Sequence, residues 1–261
     1  MIMSNEKRLD IYLVDAGFFS SRAKAQQAIK DQLVYHRETR KMLTKPSLLV
    51  TSDTPIEIIG ETLPYVSRGG LKLAAAVEYF DIICTNKIAL DIGASTGGFT
   101  DCLLQKGASL VYALDVGTEQ LDLTLRNNPQ VVSFEQTNFR YVEASLFSQG
   151  LPNLIVTDVS FISLTYILDK IATLFTESSF EFVGLIKPQF ELDKQKVGKK
   201  GIVHDKKMQQ MVIDKICHHI EGFIPQWQIV GVIDSPITGN KGNHEFLIYA
   251  KKESGFNLCR D

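Results

Sequence analysis

The sequence has few cysteines and no long apolar run, and both absences narrow the class of protein. Its 261 residues include four cysteines, none of them spaced as CxxC, so we expect neither a disulfide framework nor a metal site. No window reaches the roughly 20 apolar residues of a membrane span, and the polar first ten residues are not typical of a signal peptide. Since 44% of the residues are hydrophobic and 22% are charged, the composition predicts a globular, cytoplasmic protein that does not associate with membranes.

Charge is distributed unevenly along the chain. The net charge is −2, yet residues 1–45 contain nine Lys and Arg against five Asp and Glu. A basic segment on a nearly neutral chain is compatible with a polyanionic partner such as RNA, and equally with an ordinary solvated surface.

The first part of the chain predicts a small unit of two helices and short strands. A helical pattern of apolar residues begins at residue 9 and stops at Gly17, and Ser20 or Ser21 can cap a second helix. Short β-rich runs follow around residues 33–36, 47–50 and 56–60. We assign residues 1–62 to this domain and residues 63–70, which contain one proline and two glycines, to a linker.

From residue 71 onward, apolar β-rich runs alternate with helical segments. This alternation predicts an α/β domain over residues 71–261, with a doubly wound parallel sheet covered by helices on both faces. Only a short turn separates the last two β-rich runs, so we expect these two strands to be antiparallel at one edge of the sheet. The aromatic residues Phe99, Phe161 and Trp227 are expected in the core.

A glycine-rich segment, DIGASTGGFT at residues 91–100, follows the first strand of this domain and enters a helix. Glycines allow a ligand to approach the backbone closely, and a helix N-terminus offers free N–H groups. The GxxxGG spacing is neither the GxGxxG of dinucleotide sites nor a P-loop. Asp91 precedes the first glycine and Asp115 ends the next strand, where a carboxylate can bind ribose hydroxyls. These residues favour S-adenosylmethionine as the ligand; NAD and a turn that serves packing alone are the alternatives.

Two charged residues, Asp158 and Lys187, directly follow apolar strands. The carboxyl ends of parallel strands form the ligand-binding edge of such sheets, so the topology places both residues there. Lys72 lies near the start of the domain and Glu245 begins the last strand. These residues are candidates for catalysis, and structural ion pairs are the alternative.

Several motifs together resemble one family. RLD and SSRAKAQQAI resemble an S4 RNA-binding domain, while DIGASTGGFTDCL, TDVSFISL, LIKPQFE and GNHEFL resemble FtsJ-like methyltransferases. The combination resembles the TlyA family, whose members are described both as hemolysin A and as ribosomal-RNA 2′-O-methyltransferases. The resemblance implies a Rossmann-like class I methyltransferase fold, S-adenosylmethionine as cofactor, and 2′-O-methylation of ribosomal RNA, at a cytidine, with ribosomal RNA or a ribosomal subunit as partner.

The resemblance also assigns residues. The implied catalytic set is Lys72, Asp158, Lys187 and Glu245. The expected cofactor contacts are Asp91, Gly93, Ser95, Thr96, Gly97, Gly98, Phe99, Thr100, Asp115, Val116, Asn138 and Asp158. The expected RNA contacts are Arg8, Ser21, Arg22, Lys24 and Gln27. One departure is that Asp31–Gln32 stands where S4 domains usually have a glycine. A non-catalytic RNA-binding factor and a membrane-lytic hemolysin are the rival functions.

Overall fold

A computed structural model describes residues 6–19, 21–60, 63–193, 195, 197–198, 201–224, 226–239 and 242–253. The chain divides into two compact units, residues 1–67 and residues 68–261. The proposed linker, residues 63–70, spans this boundary, and the first helix of the second unit begins at Gly69.

The first unit consists of two helices and two small antiparallel sheets. Its elements in chain order are β1 (Lys7–Arg8), α1 (Leu9–Asp15), α2 (Arg22–Lys30), β2 (Val34–His36), β3 (Leu49–Val50) and β4 (Ile56–Ile58). Strand β1 pairs with β3, and β2 pairs with β4. Strand β1 has only two residues and is not among the predicted strands, because so short a segment gives no sequence signal.

Local chemistry sets the ends of the two helices. Gly17 has a φ of +77°, which lets the chain leave α1 in the left-handed region. The Ser21 hydroxyl accepts the Lys24 N–H at 3.3 Å and caps α2, as expected. Gln32, which follows α2, has a φ of +63°. A residue in the left-handed conformation is thus present where S4 domains usually have a glycine. Because Gln32 has a β-carbon, this conformation is sterically less favourable for it than for glycine.

The described residues of the second unit form seven strands and six α-helices. Its elements are α3 (Gly69–Tyr79), β5 (Ile88–Ile92), α4 (Gly98–Gln105), β6 (Leu110–Leu114), α5 (Leu123–Arg126), β7 (Val131–Phe134), β8 (Leu154–Thr157), α6 (Leu164–Leu174), β9 (Phe180–Ile186), α7 (Pro188–Glu191), α8 (Lys206–Phe223), β10 (Trp227–Asp234) and β11 (Phe246–Lys252).

The seven strands form one mostly parallel sheet, which confirms the predicted fold class. The strand order is β10-β11-β9-β8-β5-β6-β7. Strands β5 to β9 are all parallel to one another, whereas β11 is antiparallel to both β9 and β10. The strand that runs against the others is therefore the second from the edge, and β10 is the edge strand.

Helices cover both faces of the sheet. On β5, Leu90 and Ile92 belong to the apolar cluster formed with α6 and α8, while Asp91 contacts α4 through Thr100. Because successive side chains of a strand point to opposite faces, α4 and the pair α6–α8 lie on different sides. No helix within the described ranges is long and apolar enough to cross a membrane.

Two of the three aromatic residues expected in the core are buried, and one is not. Phe99 and Trp227 are buried, as predicted, but the expectation for Phe161 is wrong, because 90% of this residue is exposed. Phe161 also has a φ of +66°, a left-handed backbone conformation that is rare for an aromatic residue.

Candidate active site

The register of the sheet brings three candidate catalytic residues to one edge. Thr157, the last residue of β8, pairs with Gly184 of β9, and Ile186, the last residue of β9, pairs with Phe246, the first residue of β11. Asp158 and Lys187 therefore follow neighbouring strands. Glu245 lies at the same edge because β11 runs in the opposite direction, so its beginning meets the end of β9.

The four predicted catalytic side chains form a continuous cluster in which positive and negative charges alternate. Lys187 Nζ lies 2.5 Å from Asp158 Oδ1, and Lys72 Nζ lies 3.7 Å from Asp158 Oδ2. Lys72 Nζ also donates to Glu245 Oε2 at 2.6 Å. The structure thus brings together, from four separate segments, all four residues singled out by the sequence.

The cluster is largely withdrawn from solvent. Lys72, Lys187 and Glu245 are buried, and Asp158 is partly exposed. Gly239 packs so closely against Glu245 that a β-carbon at position 239 would collide with Glu245 Oε1. Two ammonium groups and two carboxylates cancel in net charge, which makes their burial tolerable, whereas removal of one partner would leave an uncompensated buried charge.

The side chain of Lys187 has further partners that the sequence analysis did not identify. Its ammonium donates a hydrogen bond to Ser160 Oγ at 2.9 Å and lies 5.9 Å from the centre of the Phe190 ring. The Phe190 ring is in turn 5.1 Å from that of Phe161. An exposed aromatic ring therefore stands beside the charged cluster, and no spacing pattern in the sequence would have distinguished Phe161 from a core residue.

The glycine-rich loop lies at the same edge, since Ile92 of β5 pairs with Thr157 of β8. Gly93 and Gly97 have φ values of +84° and +94°, and a β-carbon on Gly93 would lie 3.3 Å from the Asp158 carbonyl oxygen. Both positions therefore favour glycine for conformational and steric reasons. At Gly93 the loop packs tightly against the backbone of Asp158, a member of the charged cluster.

Asp91, at the end of β5, is fully buried beneath this loop. Its Oδ2 accepts a hydrogen bond from Thr100 Oγ1 at 2.7 Å, while Oδ1 has no hydrogen-bond partner among the described residues. Burial raises the pKa of Asp91 to about 7, the Thr100 hydroxyl opposes this rise, and the nearby carboxylates of Asp158 and Asp115 add to it. An unsatisfied buried carboxylate oxygen is a candidate for binding a ligand donor.

Asp115, at the end of β6, fixes the loop from the other side. Its two carboxylate oxygens accept the N–H groups of Ser95 at 2.8 Å and Gly117 at 2.7 Å. Asn138 is exposed, and its side-chain oxygen accepts the Arg140 N–H at 3.1 Å.

The remaining predicted cofactor contacts lie in the glycine-rich loop, at the start of α4 and, for Val116, directly after Asp115. Thr96 and Val116 are exposed, while Gly98, Phe99 and Thr100 form the buried start of α4.

In the first unit, two of the five predicted RNA-contacting residues, Arg8 and Arg22, bind a carboxylate that was not among the predicted residues. Asp10 is fully buried and accepts hydrogen bonds from Arg8 Nε at 3.0 Å, Arg22 Nε at 2.8 Å and Gln26 Nε2 at 2.6 Å. The hydrogen bond from Arg8 is the main reason why the pKa of Asp10 lies well below its usual range. Both arginines remain about half exposed, so Asp10 holds two guanidinium groups on one surface.

The other three predicted RNA-contacting residues do not contact Asp10. Ser21 caps α2, and Gln27 donates to Asp31 Oδ1 at 2.9 Å, which are local helix contacts. Lys24 is exposed. Across the described residues of both units, no group of three or more His, Cys, Asp or Glu side chains could hold a metal ion.

Comparison with known families supports two different domains. The model of the S4 domain matches residues 7–35, and the model of the FtsJ-like methyltransferase matches residues 65–252. The second match covers the whole charged cluster and the glycine-rich loop.

Individual relatives extend over almost the whole chain. YqxC of Bacillus subtilis is 46% identical over 94% of this chain and 86% of its own length. The 16S/23S rRNA (cytidine-2′-O)-methyltransferase TlyA of Mycobacterium tuberculosis is 36% identical over 97% of this chain and 92% of its own. A solved structure of a Streptococcus thermophilus protein described as a hemolysin is 39% identical, with a TM-score of 0.73 over 96% of this chain and 90% of that chain. The chain therefore belongs to the TlyA family of FtsJ-like RNA methyltransferases that carry an N-terminal S4 domain.

Proposed function

We propose that this chain transfers a methyl group from S-adenosylmethionine to the 2′-hydroxyl of a cytidine in ribosomal RNA. The observation that carries the proposal is the buried cluster of Lys72, Asp158, Lys187 and Glu245 beside the glycine-rich loop. The substrate is inferred from the name of the Mycobacterium tuberculosis relative, a cytidine-2′-O-methyltransferase of 16S and 23S rRNA.

The residues of the loop fit S-adenosylmethionine. The free Oδ1 of Asp91 can accept a hydrogen bond from its amino group, and the positive φ angles of Gly93 and Gly97 allow the tight turn that this loop makes between β5 and α4. Asp115 and Asn138 would contact the ribose and the adenine. When bound, S-adenosylmethionine supplies a methyl group that is already activated by the positively charged sulfur.

The protein must then hold the attacking hydroxyl in line and dispose of its proton. Lys187 is the residue that contacts the hydroxyl in this proposal, and Asp158 and Ser160 fix its side chain at 2.5 Å and 2.9 Å. Lys187 has two alternative roles in this proposal. A neutral Lys187 amine accepts the proton of the 2′-hydroxyl, whereas a Lys187 ammonium only orients the hydroxyl oxygen. Lys72 contacts Asp158, and Glu245 in turn accepts a hydrogen bond from Lys72. Orientation of this kind can account for a large part of the acceleration.

Two surfaces support RNA as the substrate. In the first unit, Arg8 and Arg22 present guanidinium groups suited to phosphates. In the second unit, Phe161 is exposed beside Lys187, and an exposed aromatic ring can stack on an unpaired base. Together they favour recognition of a folded RNA from which one nucleotide is turned out.

Methyl transfer by Lys187 variants tests this function. Wild-type protein is incubated with isotopically labelled S-adenosylmethionine and with ribosomal subunits or protein-free ribosomal RNA, and the nucleosides are analysed by mass spectrometry. We expect 2′-O-methylcytidine, and a rate at least about 100-fold lower for Lys187→Ala with unchanged cofactor affinity. Lys187→Arg keeps a hydrogen-bond donor but cannot accept a proton, so activity in this variant would identify Lys187 as an orienting group. Full activity of Lys187→Ala would refute the assignment.

A further inference from the structure

The carboxylate of Glu191, at the end of α7, is buried and joins three segments of the second unit. Only 2% of its side chain is exposed. Its Oε1 accepts the Leu164 N–H at 2.6 Å, and its Oε2 accepts Ser163 Oγ at 2.6 Å and Lys215 Nζ at 2.9 Å. The partners lie at the start of α6 and on α8. A buried carboxylate with this many donors is geometrically fixed.

Two of the joined segments carry the reacting groups of the proposed mechanism. Residues 158–163 connect β8 to α6 and include Asp158, Ser160 and Phe161, while α7 directly follows Lys187. Glu191 accepts a hydrogen bond from Ser163, the last residue of the segment 158–163, and is itself the last residue of α7. The contact between Lys187 and Asp158 thus spans two short segments that one carboxylate fastens together.

The connecting segment needs such a restraint. Phe161 has a positive φ, and its side chain is almost fully exposed, so the backbone at this point gains little from its own packing. The hydrogen bonds from Ser163 and Leu164 to Glu191 fix the chain immediately after it. A negative charge at the N-terminus of the 11-residue helix α6 is also electrostatically favourable.

We propose that Glu191 is a positioning residue for methyl transfer, which holds the segment with Asp158, Ser160 and Phe161 in register with Lys187. The proposal rests on the proposed function, because it concerns the alignment of the same cluster. Glu191 does not touch the reacting atoms; it acts through the two segments that it joins.

The test compares Glu191→Ala and Glu191→Gln with Asp169→Asn as a matched control. Asp169 also lies on α6 and contacts His219 of α8 at 2.7 Å, but it is half exposed. The control therefore removes the charge from a carboxylate that joins α6 and α8, without affecting residues 158–163. Single-turnover rates with saturating ribosomal RNA, the KM for RNA, cofactor affinity by calorimetry and hydrogen exchange of the ligand-free protein are measured for each variant.

For Glu191→Ala we expect a turnover rate about 100-fold lower, the loss associated with a displacement of about 1 Å. The KM for RNA and the cofactor affinity should change by less than about threefold, and exchange should accelerate in residues 158–164. Glu191→Gln keeps an acceptor for the Leu164 N–H, so it should lose only about tenfold. Asp169→Asn should behave as wild type in every measurement.

Two results would overturn the inference. One is wild-type turnover in both Glu191 variants, and the other is a loss of turnover matched by an equal loss of cofactor affinity, which indicates a general structural role. If Glu191→Ala does not fold, the turnover rate and the cofactor affinity of Glu191→Gln alone test the inference, by the same two criteria. Absence of methyl transfer by the wild-type protein would instead refute the proposed function, so the two failures are distinguishable.

Discussion

Asp91→Asn should stabilise the ligand-free protein at neutral pH while it weakens cofactor binding. Asp91 is fully buried, its Oδ1 lacks a partner among the described residues, and its pKa is about 7 against an ordinary value of 3.8. Between pH 4 and pH 7 the folded chain therefore keeps a proton that the unfolded chain has lost. Stability falls as pH rises through this interval and becomes constant above pH 7.

The size of the effect follows from the difference between the two pKa values. About three pKa units at 1.36 kcal/mol each give ~4 kcal/mol. Asparagine keeps an acceptor for Thr100 and carries no charge, so it avoids this cost. The difference in unfolding free energy between Asp91→Asn and wild type should therefore grow by ~4 kcal/mol from pH 4 to pH 8. For a unit of this size that corresponds to about 10 °C in melting temperature.

Thermal unfolding of both proteins without ligand, at intervals from pH 4 to pH 8, measures this difference. Calorimetry with S-adenosylmethionine supplies the second half of the test. Wild-type affinity should rise with pH up to about 7, because binding uses the ionised carboxylate, and Asp91→Asn should bind at least about tenfold more weakly at pH 8. A difference in melting temperature that does not change with pH, or equal cofactor affinity in the two proteins, would refute the reasoning.

Two further substitutions test the loop and the first unit. Gly97→Ala would place a β-carbon against Leu125 at a φ of +94°, so we expect a loss of about 1–3 kcal/mol in unfolding free energy and weaker cofactor binding; unchanged melting and calorimetry would contradict this. Asp10→Asn removes the charge that orients Arg8 and Arg22, so we expect the affinity for RNA to fall. In a plot of log affinity against log salt concentration, the magnitude of the slope should decrease by about 2, one for each arginine. An unchanged slope would show that Asp10 does not orient the two arginines.

The fold could be predicted from the sequence, as could the position of two members of the charged cluster, whereas the full set of four was implied by the resemblance to FtsJ-like methyltransferases. Apolar strands alternating with helices leave few topologies, and a residue that directly follows a parallel strand must lie at the carboxyl edge of the sheet. Asp158 and Lys187 are placed by this rule alone. Glu245 follows from the reversal of β11, once the short turn before it is recognised as a hairpin connection.

Other features depend on contacts between distant segments and left no local signal. The partners of Glu191 are 24 to 28 residues away, and Asp10 gathers Gln26 from a separate helix. Phe161 is exposed and has a left-handed backbone conformation, and neither feature of an aromatic residue can be predicted from a sequence pattern. Composition and periodicity describe burial in helices and strands, not the direction of a side chain in a connecting segment.

Mass mapping of ribosomal RNA from cells with and without this protein tests the central claim most directly. The account predicts one or more cytidines that carry a 2′-O-methyl group only when the protein is present, and that regain it when the wild-type gene, but not Lys187→Ala, is restored. Identical methylation maps in the two strains would contradict the claim.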